Sequence, residues 1–274
     1  MTDTPPPATS AGPRPLPELR RNAQGWPSWF AATFFGVRDR QALAAGFRQL
    51  ISAFAPHWQR GSFTGDNLIV FSRNLTFLDD ERFMAAVARH ADNPIERAII
   101  WRTAVLVWAA RNGLRREGDF VECGCYRGTS ARIVADTLDI GATGRGYWLY
   151  DLFEFPEGSQ HARLPELGPD LYETTKARFA DLPNVRVLKG SVPQVLEGQS
   201  PDRIAFLHID MNNAPAEIGA LEALFDRVSP GGAIVLDDYG YHGYREQRDA
   251  ERAWFAARGY DVIELPTSQG LIIK

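Results

Sequence analysis

The sequence predicts an α/β fold: a seven-stranded, mostly parallel sheet with an antiparallel C-terminal edge hairpin, preceded by an N-terminal helical cap. Three observations carry this expectation. From residue 119 onward, short runs that are apolar throughout alternate with helical stretches, as expected of parallel strands covered on both faces. The last two runs have no helix between them, so they must pair antiparallel at an edge. The chain has 274 residues, of which 45% are hydrophobic and 23% charged, enough to bury such a sheet.

The elements are read in chain order. Six prolines fall within residues 1–17, among Thr, Ser, Ala and Gly. Such a segment cannot sustain a helix and has little to bury, so residues 1–22 are expected to be a disordered tail. Residues 23–60 form the cap. It has an aromatic cluster, Trp26, Trp29, Phe30, Phe34 and Phe35, and then a helical stripe of Leu43, Phe47, Leu50, Ile51 and Phe54. The stripe is expected to pack on the main domain. Residues 61–274 form that domain, with a lid and helices over 61–117 and the sheet core over 118–274. Residues 66–78 read as extended or irregular, and 79–90 as helical. Residues 94–113 read as one strong helix, opened by Pro94 and stopped by Gly113. The strands are DFVECG, GYWLYD, VRVLKG, IAFLHID and AIVLDD, the fifth following an expected turn at SPGG; YDVIEL and GLIIK close the chain. Helices are expected over 129–138, 170–181, 215–228 and 245–258.

Composition excludes several classes. A net charge of −4 supplies no basic field for nucleic acid. No run of 18 apolar residues could span a membrane, and the N-terminus lacks a signal peptide's basic start and apolar stretch. Two cysteines, Cys123 and Cys125, make no disulfide scaffold and no closed zinc site; they are expected to be buried. The expectation is a cytoplasmic protein, and the aromatic N-terminus is compatible with a homodimer.

Ligands of parallel sheets bind beyond the carboxyl ends of the strands. The strand-ending residues here are Glu122, Asp151, Gly190, Asp210 and the pair Asp237 and Asp238. The loop after the first strand, Glu122-Cys123-Gly124-Cys125-Tyr126-Arg127-Gly128-Thr129, has glycines that allow close backbone approach to a ligand. It is not the three-glycine dinucleotide fingerprint. Asp151 can accept hydrogen bonds from both hydroxyls of a ribose.

Together, RNLTFL (73–78), WR (101–102), GDFVECGCYRG (118–128), LYDLFEFP (149–156), LHID (207–210) and SPGGAIVLDDYG (229–240) resemble the Rossmann-like class I S-adenosylmethionine-dependent methyltransferases. The nearer resemblance is to the macrocin O-methyltransferase family, which modifies sugars of natural products. It implies methyl transfer from S-adenosylmethionine to a hydroxyl of a small molecule, with a sugar or glycan favoured. It also implies roles for residues. Gly124 and Gly128, with Tyr126 and Arg127 between them, pass under the methionine part of the cofactor. Glu122 binds its amino group, and Thr129 or Ser130 its carboxylate. Asp151 holds the ribose, with Leu152 and Phe153 beside the adenine and Gly190 and Ser191 along its edge. Asp210 is placed among the cofactor contacts too. Asn67, Arg73 and Asn74 belong to a lid.

The family's metal-dependent members carry D-x-D after the fourth strand and D-D after the fifth. Here the first is Asp210-Met211-Asn212, and Asp237-Asp238 is intact. Asp210, Asp237 and Asp238 could hold Mg²⁺, but Asn212 cannot serve as a base. Three routes stay open: a metal depresses the acceptor's pKa; His242 takes the proton, with Tyr239, Tyr241 and Tyr244 as weaker options; or metal-dependent chemistry is lost. Asp210 and Asp238 complete the candidate catalytic set. His208 lies within an apolar strand and reads as structural. The alternative function is a non-catalytic S-adenosylmethionine- or nucleoside-binding partner subunit.

Overall fold

The computed structural model describes residues 12–154, 167–168 and 170–274. The first eleven residues, half of the expected tail, and most of the 154–170 loop with His161 lie outside the described residues. The chain divides into two compact units, Met1–Ala98 and Ile99–Lys274.

In the first unit, strands β1 (Leu19–Arg21), β2 (Pro27–Phe30), β3 (Phe63–Gly65) and β4 (Leu68–Val70) form a four-stranded sheet in that order. β2 and β3 run parallel; the other pairs are antiparallel. β1 falls inside the stretch expected to be disordered, because Leu19–Arg21 pairs with Pro27–Trp29. The small core gathers Trp29, Phe63, Leu78, Phe83 and Val87, and the Trp29 indole donates to the Arg97 carbonyl. Helix α1 (Arg40–Ala53) carries the expected apolar stripe and an Asp39 cap, yet none of its residues is buried. The expectation that its stripe is packed away is therefore not met. Helices α2 (Glu81–His90) and α3 (Pro94–Ala98) complete the unit. The Asn67 side chain closes two hydrogen bonds with the Phe35 backbone.

The second unit opens with α4 (Ile100–Gly113). The single helix expected over 94–113 is broken at Ile99, whose backbone (φ −88, ψ 14) leaves the helical region. There follow β5 (Asp119–Cys123), α5 (Thr129–Leu138), α6 (Ile140–Thr143), β6 (Tyr147–Asp151), α7 (Leu171–Arg178), β7 (Val185–Lys189) and β8 (Ile204–Ile209). The chain closes with α8 (Ala214–Leu224), β9 (Val228–Leu236), α9 (Arg245–Ala256), β10 (Ile263–Glu264) and β11 (Gly270–Ile273). Seven strands form one sheet in the order β10-β11-β9-β8-β5-β6-β7. β9, β8, β5, β6 and β7 are parallel; the closing hairpin is antiparallel, with β11 against β9.

Burial follows strand position. Every residue of the central β8 is buried, whereas edge β7 has none buried. Burying Phe120, Phe206, Leu207, Ile234 and their neighbours stabilises the sheet by about 1.5–3 kcal/mol per side chain. The expected SPGG turn is instead part of β9, whose register against β8 shifts between Ile204 and Phe206. An irregular strand absorbs the glycines here. Both cysteines are free and buried, as expected.

Candidate active site

The chain builds outward from β5, first to β6 and β7, then to β8 and β9 on the other side. The strand order reverses between β5 and β8, and the crevice beyond their carboxyl ends is where such sheets bind ligands.

On the β5–β6 side the loop is shaped by backbone. Gly124 has φ +94, and a Cβ there would lie 1.8 Å from the Asp210 carbonyl oxygen, so only glycine fits. The Gly124 and Cys125 N–H groups both donate to the Tyr150 carbonyl. Tyr126 takes a left-handed φ of 47, and its N–H donates to Asp151 Oδ2 at 2.7 Å. The Phe153 N–H donates to Asp151 Oδ1 at 2.6 Å. Burial lifts the Asp151 carboxyl above its ordinary range, and these two N–H groups oppose the lift. Each oxygen keeps a further lone pair for a ligand hydroxyl. Gly128 (φ +68) turns the chain into α5, presenting the helix N-terminus at Thr129 and Ser130, where an anion is favoured.

Other expected cofactor contacts sit differently. Glu122 is buried; Tyr147 donates to its Oε2 at 2.9 Å, and its Oε1 lies 3.5 Å from His208 Nδ1. Phe153 is fully buried against Tyr172, so Leu152 is the half-buried member of that pair. Gly190 donates to the Asp151 carbonyl, and the Ser191 carbonyl accepts from Val195; Ser191 is exposed. Arg127 is half-buried.

On the β8–β9 side, Asp210, Asp237 and Asp238 each bring a carboxylate oxygen within 4.8 Å of the others. Arg102, on α4 and 8% exposed, donates through one terminal nitrogen to Asp237 Oδ2 at 2.7 Å and Asp238 Oδ1 at 2.6 Å. Gln269 donates to Asp237 Oδ1 at 2.9 Å, and Gln247 to the Asp237 carbonyl. Asp238 is held at a left-handed φ of 54. Burial first, then Asp237, pushes the Asp210 carboxyl well above its ordinary range. His208, fully buried between Glu122 and Asp237, is raised to about 9: burial alone would lower it, but the two carboxylates outweigh that. His208, read as structural, is thus set between two carboxylates inside the sheet.

Three carboxylates this close offer hard oxygen donors of the kind that suits Mg²⁺, although one oxygen each of Asp237 and Asp238 already accepts from Arg102. His242 is not part of this cluster. It is exposed, with a tilted ring contact to Tyr241. Tyr244 is the residue of that loop that feels the cluster: burial, then Asp238 and Asp210, raise its hydroxyl to about 12.

Sequence reasoning gave no role to Arg102, Gln247, Gln269 or the buried acids Glu217 and Glu251. A charge recurring with Leu106 and Ala110 on the buried face of an apolar helix is the signal that could have singled out Arg102.

The family model for macrocin-O-methyltransferase (TylF) matches residues 109–259. The 8-demethyl-8-(2,3-dimethoxy-alpha-L-rhamnosyl)-tetracenomycin-C 4'-O-methyltransferase of Streptomyces olivaceus is 34% identical over 145 residues, covering 47% of this chain and 56% of the relative. The mycinamicin III 3''-O-methyltransferase of Micromonospora griseorubida is 27% identical over 160 residues, covering 50% of this chain and 61% of the relative. The matches thus span 56% and 61% of those relatives' lengths. Among solved structures, a calicheamicin methyltransferase superposes with a TM-score of 0.54 at 14% identity, over 88% of this chain and 95% of its own; that likeness concerns the fold. With the family match running from α4 to the end of α9 and taking in both sides of the crevice, the chain belongs to the macrocin-O-methyltransferase family.

Proposed function

We propose that this chain is an S-adenosylmethionine-dependent O-methyltransferase acting on a hydroxyl of a small molecule, a sugar or glycosylated natural product being favoured. The observation that carries the reading is Asp151. Its carboxylate closes the glycine turn through Tyr126 and Phe153 and keeps acceptor capacity for a ribose. Family membership supports the reaction, and the sugar positions in the two relatives' names support the acceptor class.

The bound cofactor supplies an electrophilic methyl group on a positively charged sulfur. The chain's own task is to orient the acceptor in line and take its proton. Without a bound ion, Asp210, whose basicity burial and the neighbouring Asp237 raise, is the residue placed to accept that proton. This favours Asp210 over the exposed His242. Arg102 offsets the charge of Asp237 and Asp238. Asp210, Asp237 and Asp238 would hold a divalent ion, which when bound would lower the acceptor hydroxyl's pKa. The reading includes a cytoplasmic location, in keeping with two free thiols. It also includes a homodimer, in keeping with exposed Trp26, Phe35, Phe54 and Trp58.

The test is calorimetric titration with S-adenosylmethionine and S-adenosylhomocysteine, in Mg²⁺ and in EDTA, followed by methyl transfer to nucleotide-linked and macrolide-linked sugars. Binding lost in Asp151→Ala and turnover on a sugar are expected. Folded protein that binds neither ligand would overturn the reading. Binding without transfer to any acceptor would turn it towards the non-catalytic partner subunit that Asn212 favours.

A further inference from the structure

Two carboxyl groups beside the crevice are used by none of the chemistry above. Glu217, in the first turn of α8, and Glu251, on α9, are both fully buried. A buried carboxyl without a compensating role is costly. Burial and the neighbouring Glu251 push Glu217 well above its ordinary range, so its retention asks for a reason.

The reason is on the loop after β8. Glu217 Oε1 accepts the N–H of Met211 at 3.0 Å and the N–H of Asn212 at 2.9 Å. Asn212 sits at a left-handed φ of 54, which asparagine tolerates better than most non-glycine residues. One side-chain oxygen therefore fixes both peptides that follow Asp210. The Asp210 carbonyl is in turn the atom against which Gly124 packs so closely that no Cβ fits. Glu217, Met211–Asn212, Asp210 and Gly124 thus form one contiguous chain of contacts, from the helix layer to the loop assigned to the methionyl half of the cofactor. Asp151, assigned to the ribose, ends β6, on the other side of β5.

We propose that Glu217 is a positioning residue. By accepting two backbone N–H groups it holds the Asp210-Met211-Asn212 turn in the shape that accommodates the methionyl half of the cofactor. This rests on the reading of the crevice given under Proposed function. The role needs an acceptor oxygen at the reach of a Glu side chain, and it does not need a charge. Glutamine supplies the same oxygen at the same reach; alanine supplies none, and aspartate is one methylene short.

The test uses the full chain and two probes, S-adenosylhomocysteine and 5′-methylthioadenosine, which has the nucleoside but no amino-acid part. Calorimetry is combined with hydrogen exchange at the Met211 and Asn212 amides. Glu217→Ala is expected to weaken S-adenosylhomocysteine about tenfold or more and 5′-methylthioadenosine less than about threefold, with both amides deprotected, the tenfold loss matching one or two lost hydrogen bonds. Glu217→Gln is expected to restore S-adenosylhomocysteine binding and amide protection. If Glu217→Ala does not fold, Glu217→Asp is read in its place, with the same expected split between probes. The proposal is overturned if the folded Ala or Asp variant binds both probes as wild type does. It is overturned equally if both probes weaken together, or if Gln is as damaging as Ala. Wild-type protein that binds neither probe would instead sink the reading of the crevice, whatever the exchange at Met211 and Asn212.

Discussion

At the end of β6, Asp151 is held by two backbone N–H groups, from Tyr126 and Phe153. At the end of β9, Asp237 and Asp238 are held by a guanidinium, from Arg102. The first arrangement is local: the partners lie 25 and 2 residues away, and the turn that carries them makes the contact by its own shape. The second is remote: Arg102 is 135 and 136 residues from its two partners, and the contact exists only once α4 has docked on the sheet. Peptide N–H groups favour the charged form of Asp151 and oppose the lift that burial imposes, with no compensating side chain. Three clustered carboxylates repel one another, and the fold must supply positive charge before they can stay together. One side of the crevice is thus shaped by backbone and the other balanced by charge.

The largest effect should come from breaking the charge balance. Arg102→Met leaves Asp237 and Asp238 facing each other with their cation gone; removing one partner of a buried pair costs about 3 kcal/mol or more. Urea denaturation at neutral pH should show that loss, and a variant as stable as wild type would mean the guanidinium is dispensable. Asp151→Ala attacks the other side. It should weaken S-adenosylhomocysteine on the order of 100-fold, the scale of lost charge-assisted hydrogen bonds, with little change in denaturation midpoint. Similar stability losses in the two variants would erase the contrast.

A smaller effect sharpens it by pH. Glu251 is raised to about 7 from an ordinary 4.5, by burial. Folding therefore favours its protonated form. Its contribution is complete below about pH 4.5 and is lost as pH rises through about 7. Glu251→Gln should remove that decline and stabilise the protein at pH 8 on the order of 2 kcal/mol; an unchanged slope between pH 5 and 8 would show the pair to be better compensated than its burial implies. The smallest effect is expected at exposed His242. His242→Ala should leave turnover within about threefold, whereas loss of a general base costs about 100-fold or more; a loss of that size would move the base from Asp210 to His242.

The same distinction between local and remote explains what the sequence could reveal. All seven strands of the second unit were legible: β5, β6, β8 and β9 are largely buried, mostly apolar runs of a parallel sheet, and β7 and the closing hairpin show as short runs rich in Val, Ile and Leu. The acids at their ends were legible for the same reason: they mark where each run stops. SPGG was misread because such a tetrapeptide usually turns, and here the register shift of β9 takes it up. The first unit's sheet was missed because strands of three or four residues show no usable period. α1 and α5 both carry a helical apolar pattern. α5 buries eight of its residues and α1 buries none, since periodicity reports a face and says nothing of what covers it. Arg102, Gln269 and Glu217 were assigned nothing for a related reason: their importance lies in partners that only the folded chain brings near.

The burial of Cys123 and Cys125 has a practical consequence. Both thiols are buried, and burial with nearby carboxylates raises them far from ionisation. A thiol that does not ionise does not alkylate. Maleimide dyes should therefore pass over the native chain, and a cysteine placed at exposed Ser52 on α1 should be the single labelled position. The chain comes ready for site-directed fluorescence without removal of its own cysteines, and mass spectrometry of the labelled protein would show one added dye.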